Sequence, residues 1–178
     1  MRIISGKYKG RHFDVPRNFK ARPTTDFAKE NLFNILTNIV DFEEKTVLDF
    51  FAGTGSISLE FLSRGCKAVT SVELDAMHVS HLKRTSATLN DTAWSIVRDD
   101  VFRYIRRCPA TYDLVFADPP YALKELKSIP DLVLEGNLLK AGGILIFEHG
   151  KDNDFGQHPC FFRHVSYGSV NFSFFEKK

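Results

Sequence analysis

The sequence predicts an α/β fold of the Rossmann-like kind, a mostly parallel sheet closed by an antiparallel hairpin, and three observations carry that prediction. Short strand-like runs beginning at Thr46, Ala68, Ser95 and Leu114 alternate with segments whose apolar residues recur at helical spacing, the signature of repeated βα units. The stretch from Thr46 reads as strand, Gly53-Thr54-Gly55 turn and helix, the local design of a ligand-holding crossover. Near the end, 161–167 and 170–176 flank Gly168-Ser169, a two-residue hairpin signal with glycine at its first central position. With a further buried strand at 144–148, the strands number seven.

At 178 residues and 43% hydrophobic, the chain suits one ordinary globular unit, able to bury about 70% of its unfolded surface. Cys66, Cys108 and Cys160 are far apart and form no C-x-x-C pair, which argues against a zinc site or a disulfide framework. The N-terminus has no signal-like apolar region and no run reaches the roughly 18 residues of a membrane span, so a cytoplasmic location is expected, away from any membrane. Net charge is +2, but it is unevenly spread: residues 1–22 hold seven Lys and Arg against Asp14 alone. Gly6 and Gly10 bracket Lys7-Tyr8-Lys9 in a short basic hairpin, with Tyr8, Phe13 and Phe19 between the charges. Cations interleaved with rings suit RNA, and Arg2, Lys7, Lys9, Arg11 and Lys20 are the candidate contacts. The expected division is a basic RNA-binding arm at 1–22 and a catalytic unit at 23–178.

Taken in order, Thr25 or Asp26 caps a first helix whose packed face is Phe27, Leu32, Phe33, Leu36, Ile39 and Val40. Asp49 then stands in the first strand of the sheet, before the glycine turn and a helix at 56–64. A dinucleotide fingerprint would need glycine where Ser58 stands, and a carboxylate at Asp49 suits a cationic ligand end better than a pyrophosphate. A buried or capping Asp49 is the plainer alternative. Glu73 ends the second strand 20 residues after Gly53, the spacing of a ribose hydroxyl clamp, with Leu74 beside it. His78 and His81 share a helix face and read as solvated rather than as metal ligands. After the third strand, Asp100, preferred to Asp99, can accept an adenine amino hydrogen with Val101 against the ring, although a helix cap would use the same residue. Arg103, Arg106 and Arg107 read as a solvated basic strip.

The richest stretch is Leu114-Val115-Phe116-Ala117-Asp118-Pro119-Pro120-Tyr121. Four apolar residues suit a central strand, and such sheets carry ligands just beyond the strand ends. The prolines stop the ladder and leave rigid carbonyl acceptors. An amine held by the Asp118 carboxylate and the Pro119 carbonyl can stack its heterocycle on Tyr121. Beyond it, 123–140 reads as helix and turn, with Pro130 opening a second helix.

With these pieces in order the chain resembles the class I S-adenosylmethionine-dependent methyltransferases, and more narrowly the RsmD family of bacterial small-subunit rRNA guanine-N2 methyltransferases. The resemblance rests on Met1-Arg2-Ile3-Ile4-Ser5-Gly6 with Lys9-Gly10-Arg11, on Arg22-Pro23-Thr24-Thr25 followed by Glu30, Leu32, Phe33 and Asn34, on Asp49, Phe51, Ala52, Gly53, Thr54 and Gly55, and on Asp118 to Tyr121. It implies S-adenosyl-L-methionine as cofactor, held by Asp49 and 51–55, Glu73, Leu74, Asp100 and Val101, with Arg22, Thr24 and Thr25 closing over its methionine end. It also implies Asp118, Pro119, Pro120 and Tyr121 as the catalytic set. Small-subunit rRNA or the assembling 30S particle is the implied partner, met by a monomer without a metal. One departure is Lys29, where the family has arginine; lysine keeps the charge and loses the bidentate fork of a clamp. Two rival readings are adenine-N6 methylation of DNA or RNA, and a cofactor-binding ribosome-assembly factor without catalysis.

Overall fold

The computed structural model describes residues 1–19 and 24–178. Its sheet runs β3-β2-β1-β4-β5-β7-β6, from β1 (Thr46–Phe50), β2 (Ala68–Glu73), β3 (Trp94–Arg98), β4 (Tyr112–Ala117), β5 (Leu139–His149), β6 (Phe161–Tyr167) and β7 (Val170–Glu176). The first five strands are parallel and β7 is antiparallel to both β5 and β6. Gly168, at φ +65°, makes the β6–β7 turn at the expected place. Helices α1 (Asp26–Ile39), α2 (Ser56–Ser63), α3 (Ala76–Leu89), α4 (Val101–Arg107) and α5 (Ile129–Glu135) cover the sheet. In the 123–140 stretch, the first predicted helix is a single 3₁₀ turn, Leu126–Ser128, and Pro130 lies in the first turn of α5.

Strand alternation sorts the core into two layers. Val47, Val69, Leu114, Phe116, Ile146, Phe172 and Phe174 pack with α1 and α2 on one face. Leu48, Phe50, Val72, Val115, Ala117, Leu145, Phe147 and Phe175 pack with α4 and α5 on the other. Leu114 to Ala117 are all buried, as a strand covered on both sides requires.

Thr25 caps α1 by accepting the Ala28 N–H at 3.2 Å, but the predicted face of that helix needs correction. Phe27 is 66% exposed and Ile39 is also exposed, while Ala28, Lys29 and Ile35 join Leu32, Phe33 and Leu36 inside. The reason is that the α1 face is covered by α2 and by the N-terminal segment, so the buried stripe is rotated toward Lys29. Every residue of α2 is buried, because sheet, α1 and the N-terminal segment enclose it. Among the described residues no helix is long and apolar enough to cross a membrane.

Candidate active site

Strand order reverses between β1 and β4, and the C-terminal ends of the strands around that point carry acids: Asp49 in β1, Glu73 ending β2, Asp118 just past β4, and Glu148 near the end of β5. In parallel register Phe116 faces Ile146 and Ala117 faces Phe147, so Asp118 and Glu148 are the next neighbours along the two strands. By alternation, Asp49, Asp118 and Glu148 share the face of Val47, Phe116 and Ile146.

Asp49 is 1% exposed. Ser58 donates to its Oδ2 at 2.5 Å, Ser58 and Ser71 hydroxyls lie 2.6 Å apart, and Trp94 Nε1 donates to Ser71 Oγ at 2.8 Å. Because indole can only donate and the carboxylate only accepts, the protons run in one direction, Trp94 to Ser71 to Ser58 to Asp49. Burial pushes the Asp49 carboxyl up to about 7 against its hydrogen bonds from Ser58, and the nearby Glu73 charge adds to the rise. The loop after it holds Phe51, Gly53 and Gly55 at φ +58°, +52° and +78°. A phenylalanine in the left-handed region is costly and is a feature of ligand clamps. Gly55 corrects a simple reading of the glycines: a Cβ there would lie 2.5 Å from Leu82 Cδ2 and 3.2 Å from the Trp94 ring, so its role is to let α3 and β3 close on the loop.

Glu73, largely buried, accepts the N–H of Gly53 on one oxygen and that of Asp75 on the other, each at 2.9 Å. A carboxylate has about four acceptor sites, so both oxygens can still receive ribose hydroxyls. Leu74 beside it is 57% exposed. His78 and His81, expected in solvent, are buried: Phe19 stacks on His78 with centroids 4.0 Å apart and meets His81 edge-on. The helical spacing was right, but the covering ring comes from far upstream. Asp100 caps α4 by accepting the Arg103 N–H at 3.0 Å, next to buried Val101. Asp99, at 3% exposure, pairs with Arg103 Nε at 2.8 Å and with Arg107 at 2.6 Å, which ties down two of the three arginines expected to be free.

At the second half of the site Tyr121 is half exposed, its hydroxyl donating to Glu148 Oε1 at 3.2 Å. Its ring lies on Gly150, where an added Cβ would be 3.3 Å from Cδ2. Thr24 Oγ1 donates to Glu148 Oε2 at 3.5 Å, which brings the start of α1 to this pocket, whereas Thr25 serves as helix cap. Burial raises Glu148 to about 7, opposed by these two hydrogen bonds. Burial raises Asp118 well above the usual range, and the charges of Glu148 and Asp49 raise it further. Among the described residues no Lys or Arg pairs with Asp49, Asp118 or Glu148, so these acids are left for ligand donors, whether a cation or N–H groups. Glu148 escaped the sequence reading, although Ile144-Leu145-Ile146-Phe147-Glu148 repeats the four-apolar-then-acid pattern of 114–118.

The predicted basic arm is docked. Ile3 is buried, Ile4 and Ser5 N–H groups bind the Glu60 carboxylate at 2.9 and 3.1 Å, and the Lys7 and Tyr8 N–H groups bind Ser63. Lys29 is fully buried, donating to Arg2 O at 2.6 Å and Ser56 Oγ at 2.9 Å, with Glu60 at 3.9 Å; it is an internal tie rather than a surface clamp. Lys7 and the Tyr8 hydroxyl both bind Asp91, at 2.9 and 2.7 Å, and Arg2 lies 3.7 Å from Asp26. Lys9 and Arg11 are exposed. Arg22 and Lys20 lie outside the described residues.

The family model described as Conserved hypothetical protein 95 matches residues 1–176. Ribosomal RNA small subunit methyltransferase D of Escherichia coli is 30% identical over 90% of this chain and 80% of its own length. The protein of that name from Haemophilus influenzae is 34% identical over 85% and 80%. Among solved structures, Thermus thermophilus TTHA0928 superposes with a TM-score of 0.86 at 27% identity, covering 99% of both chains. Escherichia coli yhhF gives 0.87 at 28%, over 100% of this chain and 98% of that one. With a match from end to end, and with the glycine loop and the Asp-Pro-Pro-Tyr turn side by side at the reversal of the sheet, the chain belongs to the Conserved hypothetical protein 95 family, the RsmD family.

Proposed function

We propose that this protein, an S-adenosylmethionine-dependent ribosomal RNA methyltransferase, modifies the exocyclic N2 amine of a guanine in small-subunit rRNA. The observation that carries the reading is the position of Asp118-Pro119-Pro120-Tyr121 one strand away from the Asp49 loop, with the acidic cluster between them. Bound there, the cofactor supplies an electrophilic methyl group on a sulfonium, whose sulfur keeps the electron pair of the bond that breaks. Asp49 would hold the amino end of its methionine moiety with the 51–55 backbone, Glu73 would accept the ribose hydroxyls, and Asp100 with Val101 would bind the adenine.

Asp118 and the Pro119 carbonyl accept the two hydrogens of the target amine while Tyr121 stacks on the extruded base. An aniline-like lone pair is delocalised into its ring; two fixed acceptors favour a pyramidal nitrogen and stabilise its developing positive charge. As the N–CH₃ bond forms, one amine proton leaves to Asp118 or to water. The exposed cations Lys9 and Arg11, together with Arg2, lie on the arm and suit phosphate contacts.

The test is nucleoside mass analysis of small-subunit particles that lack the modification, incubated with S-adenosylmethionine and either the protein or Asp118→Ala. New N2-methylguanosine with the wild type alone is expected, and the variant keeps most of its cofactor affinity. N6-methyladenosine would move the reading to an adenine enzyme, and no methylation despite cofactor binding would favour an assembly factor.

A further inference from the structure

Beside Asp118 stands a second carboxylate with no part in holding the amine. Glu148 is 4% exposed, one residue beyond the Ala117–Phe147 register pair, as Asp118 is on its own strand. Its two oxygens are held by separate donors, the Tyr121 hydroxyl at 3.2 Å and the Thr24 hydroxyl at 3.5 Å. The ring that stacks the base and the carboxylate beside it are thus one unit, and each oxygen retains an acceptor site. A buried carboxylate oriented in this way, next to the acceptor of an amine, suits a second donor on the same edge of the base.

Guanine has that donor. Its N1–H lies next to the N2 amine, so two neighbouring carboxylates meet two neighbouring donors. Adenine and 2-aminopurine carry a bare lone pair at N1, which a carboxylate repels. Resting on the guanine-N2 reading above, we propose that Glu148 is a specificity-determining residue that accepts the N1–H of the target guanine while Asp118 and Pro119 hold its amine. The partnership also explains why a glutamate sits at the end of an otherwise apolar strand, where a buried carboxylate without a ligand donor is costly.

The experiment uses rRNA assembled by ligation, with guanosine or 2-aminopurine riboside at the methylated position, each offered to wild type and Glu148→Gln. Glutamine keeps an acceptor for Tyr121 and can turn its amide to donate to a bare N1. The wild type is expected to favour guanosine by at least about 100-fold in kcat/KM, since a site built to bind a polar hydrogen rejects the analogue lacking it. In Glu148→Gln, guanosine activity falls by roughly 100-fold and 2-aminopurine activity holds or rises, so discrimination drops below about 10-fold. S-adenosylhomocysteine affinity measured by calorimetry stays within about twofold, which reports a folded protein with an intact cofactor site. Equal loss on both substrates, or no loss on either, overturns the proposal and leaves the guanine-N2 assignment standing. Should the wild type produce only N6-methyladenosine, the assignment itself fails and the role of Glu148 with it.

Discussion

Ser58 donates its hydroxyl proton to Asp49 at 2.5 Å from the helix position where a dinucleotide fingerprint would have glycine. The substitution that excludes a pyrophosphate site is the same one that holds the acid in place. Ser71 and Trp94 extend the relay across β2 and β3, so the carboxylate at the reversal of the sheet is oriented from two strands away. An acceptor held in this way needs no reorganisation when a cation arrives.

Removing the relay should therefore weaken the ligand without touching it. In Ser58→Ala the buried Asp49 loses its side-chain donor, and S-adenosylhomocysteine affinity is expected to fall by about tenfold, the value of one charge-assisted hydrogen bond. Asp49→Asn should lose more, because the charge itself disappears. Titration calorimetry on both variants, with circular dichroism to confirm folding, checks the order. An unaltered affinity in Ser58→Ala would show that the relay does not orient the acid for the ligand.

Burial of these acids also gives the ligand-free protein an unusual pH response. Asp49 and Glu148 have ordinary values of 3.8 and 4.5 and are each raised to about 7. Between those limits the folded state binds more protons than the unfolded state, so the contribution is fully present below about pH 4 and is lost as pH rises through about 7. Asp91 and Asp113 are shifted downward and titrate below this window, Asp118 is raised as well and adds to the fall, and His81 and His149, lowered from 6.5 by burial, oppose part of it. Urea unfolding of the ligand-free protein should show stability falling between about pH 4 and 7, with a limiting slope of about 1.4 kcal/mol per pH unit for each group. Asp49→Asn and Glu148→Gln should each flatten it, and S-adenosylhomocysteine should remove the Asp49 part, since its amino group favours that acid ionised. A slope that the variants leave unchanged would assign it to other groups.

What could be read in advance follows the range of the interactions. The seven strands, the helix starts and the Gly168 turn are local, set by alternation, caps and turn chemistry within a few residues, and these were legible. So were the positions of Asp49, Glu73 and Asp118 toward the strand ends, because each lies inside a short motif. The misreadings share one cause, a partner distant in the chain. His78 and His81 look solvated until Phe19 is laid over them; Phe27 looks like core until α2 and the N-terminal segment take the neighbouring stripe. Glu148 looks like an ordinary strand end until β5 pairs with β4 and sets it beside Asp118. The role of Lys29 was likewise out of reach, because nothing within its helix shows that Glu60 and the Arg2 carbonyl lie inside.

The docked N-terminal segment depends on one glycine. Gly6 has φ +84°, and a Cβ there would fall 1.8 Å from the Ser63 carbonyl oxygen, backbone against backbone. Gly6→Ala cannot be absorbed by a side-chain movement. The expected loss is about 1–3 kcal/mol in urea unfolding, with faster amide exchange at Ile4, Ser5 and Lys7 while the sheet stays protected. Uniform protection across the segment would show that it is held without the Gly6 contact.

Beneath that segment, Lys29 and Glu60 are coupled through what they jointly hold. Glu60, fully buried, binds the N–H groups of Ile4 and Ser5 and pairs with Arg64 Nε at 3.0 Å, while Lys29 binds the Arg2 carbonyl and lies 3.9 Å from Glu60. Burial lowers the Lys29 pKa although Glu60 and Asp26 oppose it, so the ammonium depends on its acids to remain charged. Lys29→Met leaves the Arg2 carbonyl and Ser56 without a donor, and Glu60→Gln leaves a buried ammonium short of a counter-charge. Each single variant is expected to cost about 3–5 kcal/mol in urea unfolding, as broken buried ion pairs do. The double variant should cost at least about 1 kcal/mol less than the two singles together, since it removes both charges at once. Additivity within about 0.5 kcal/mol would mean that the two groups act separately, Glu60 through the arm's N–H groups and Lys29 through the Arg2 carbonyl.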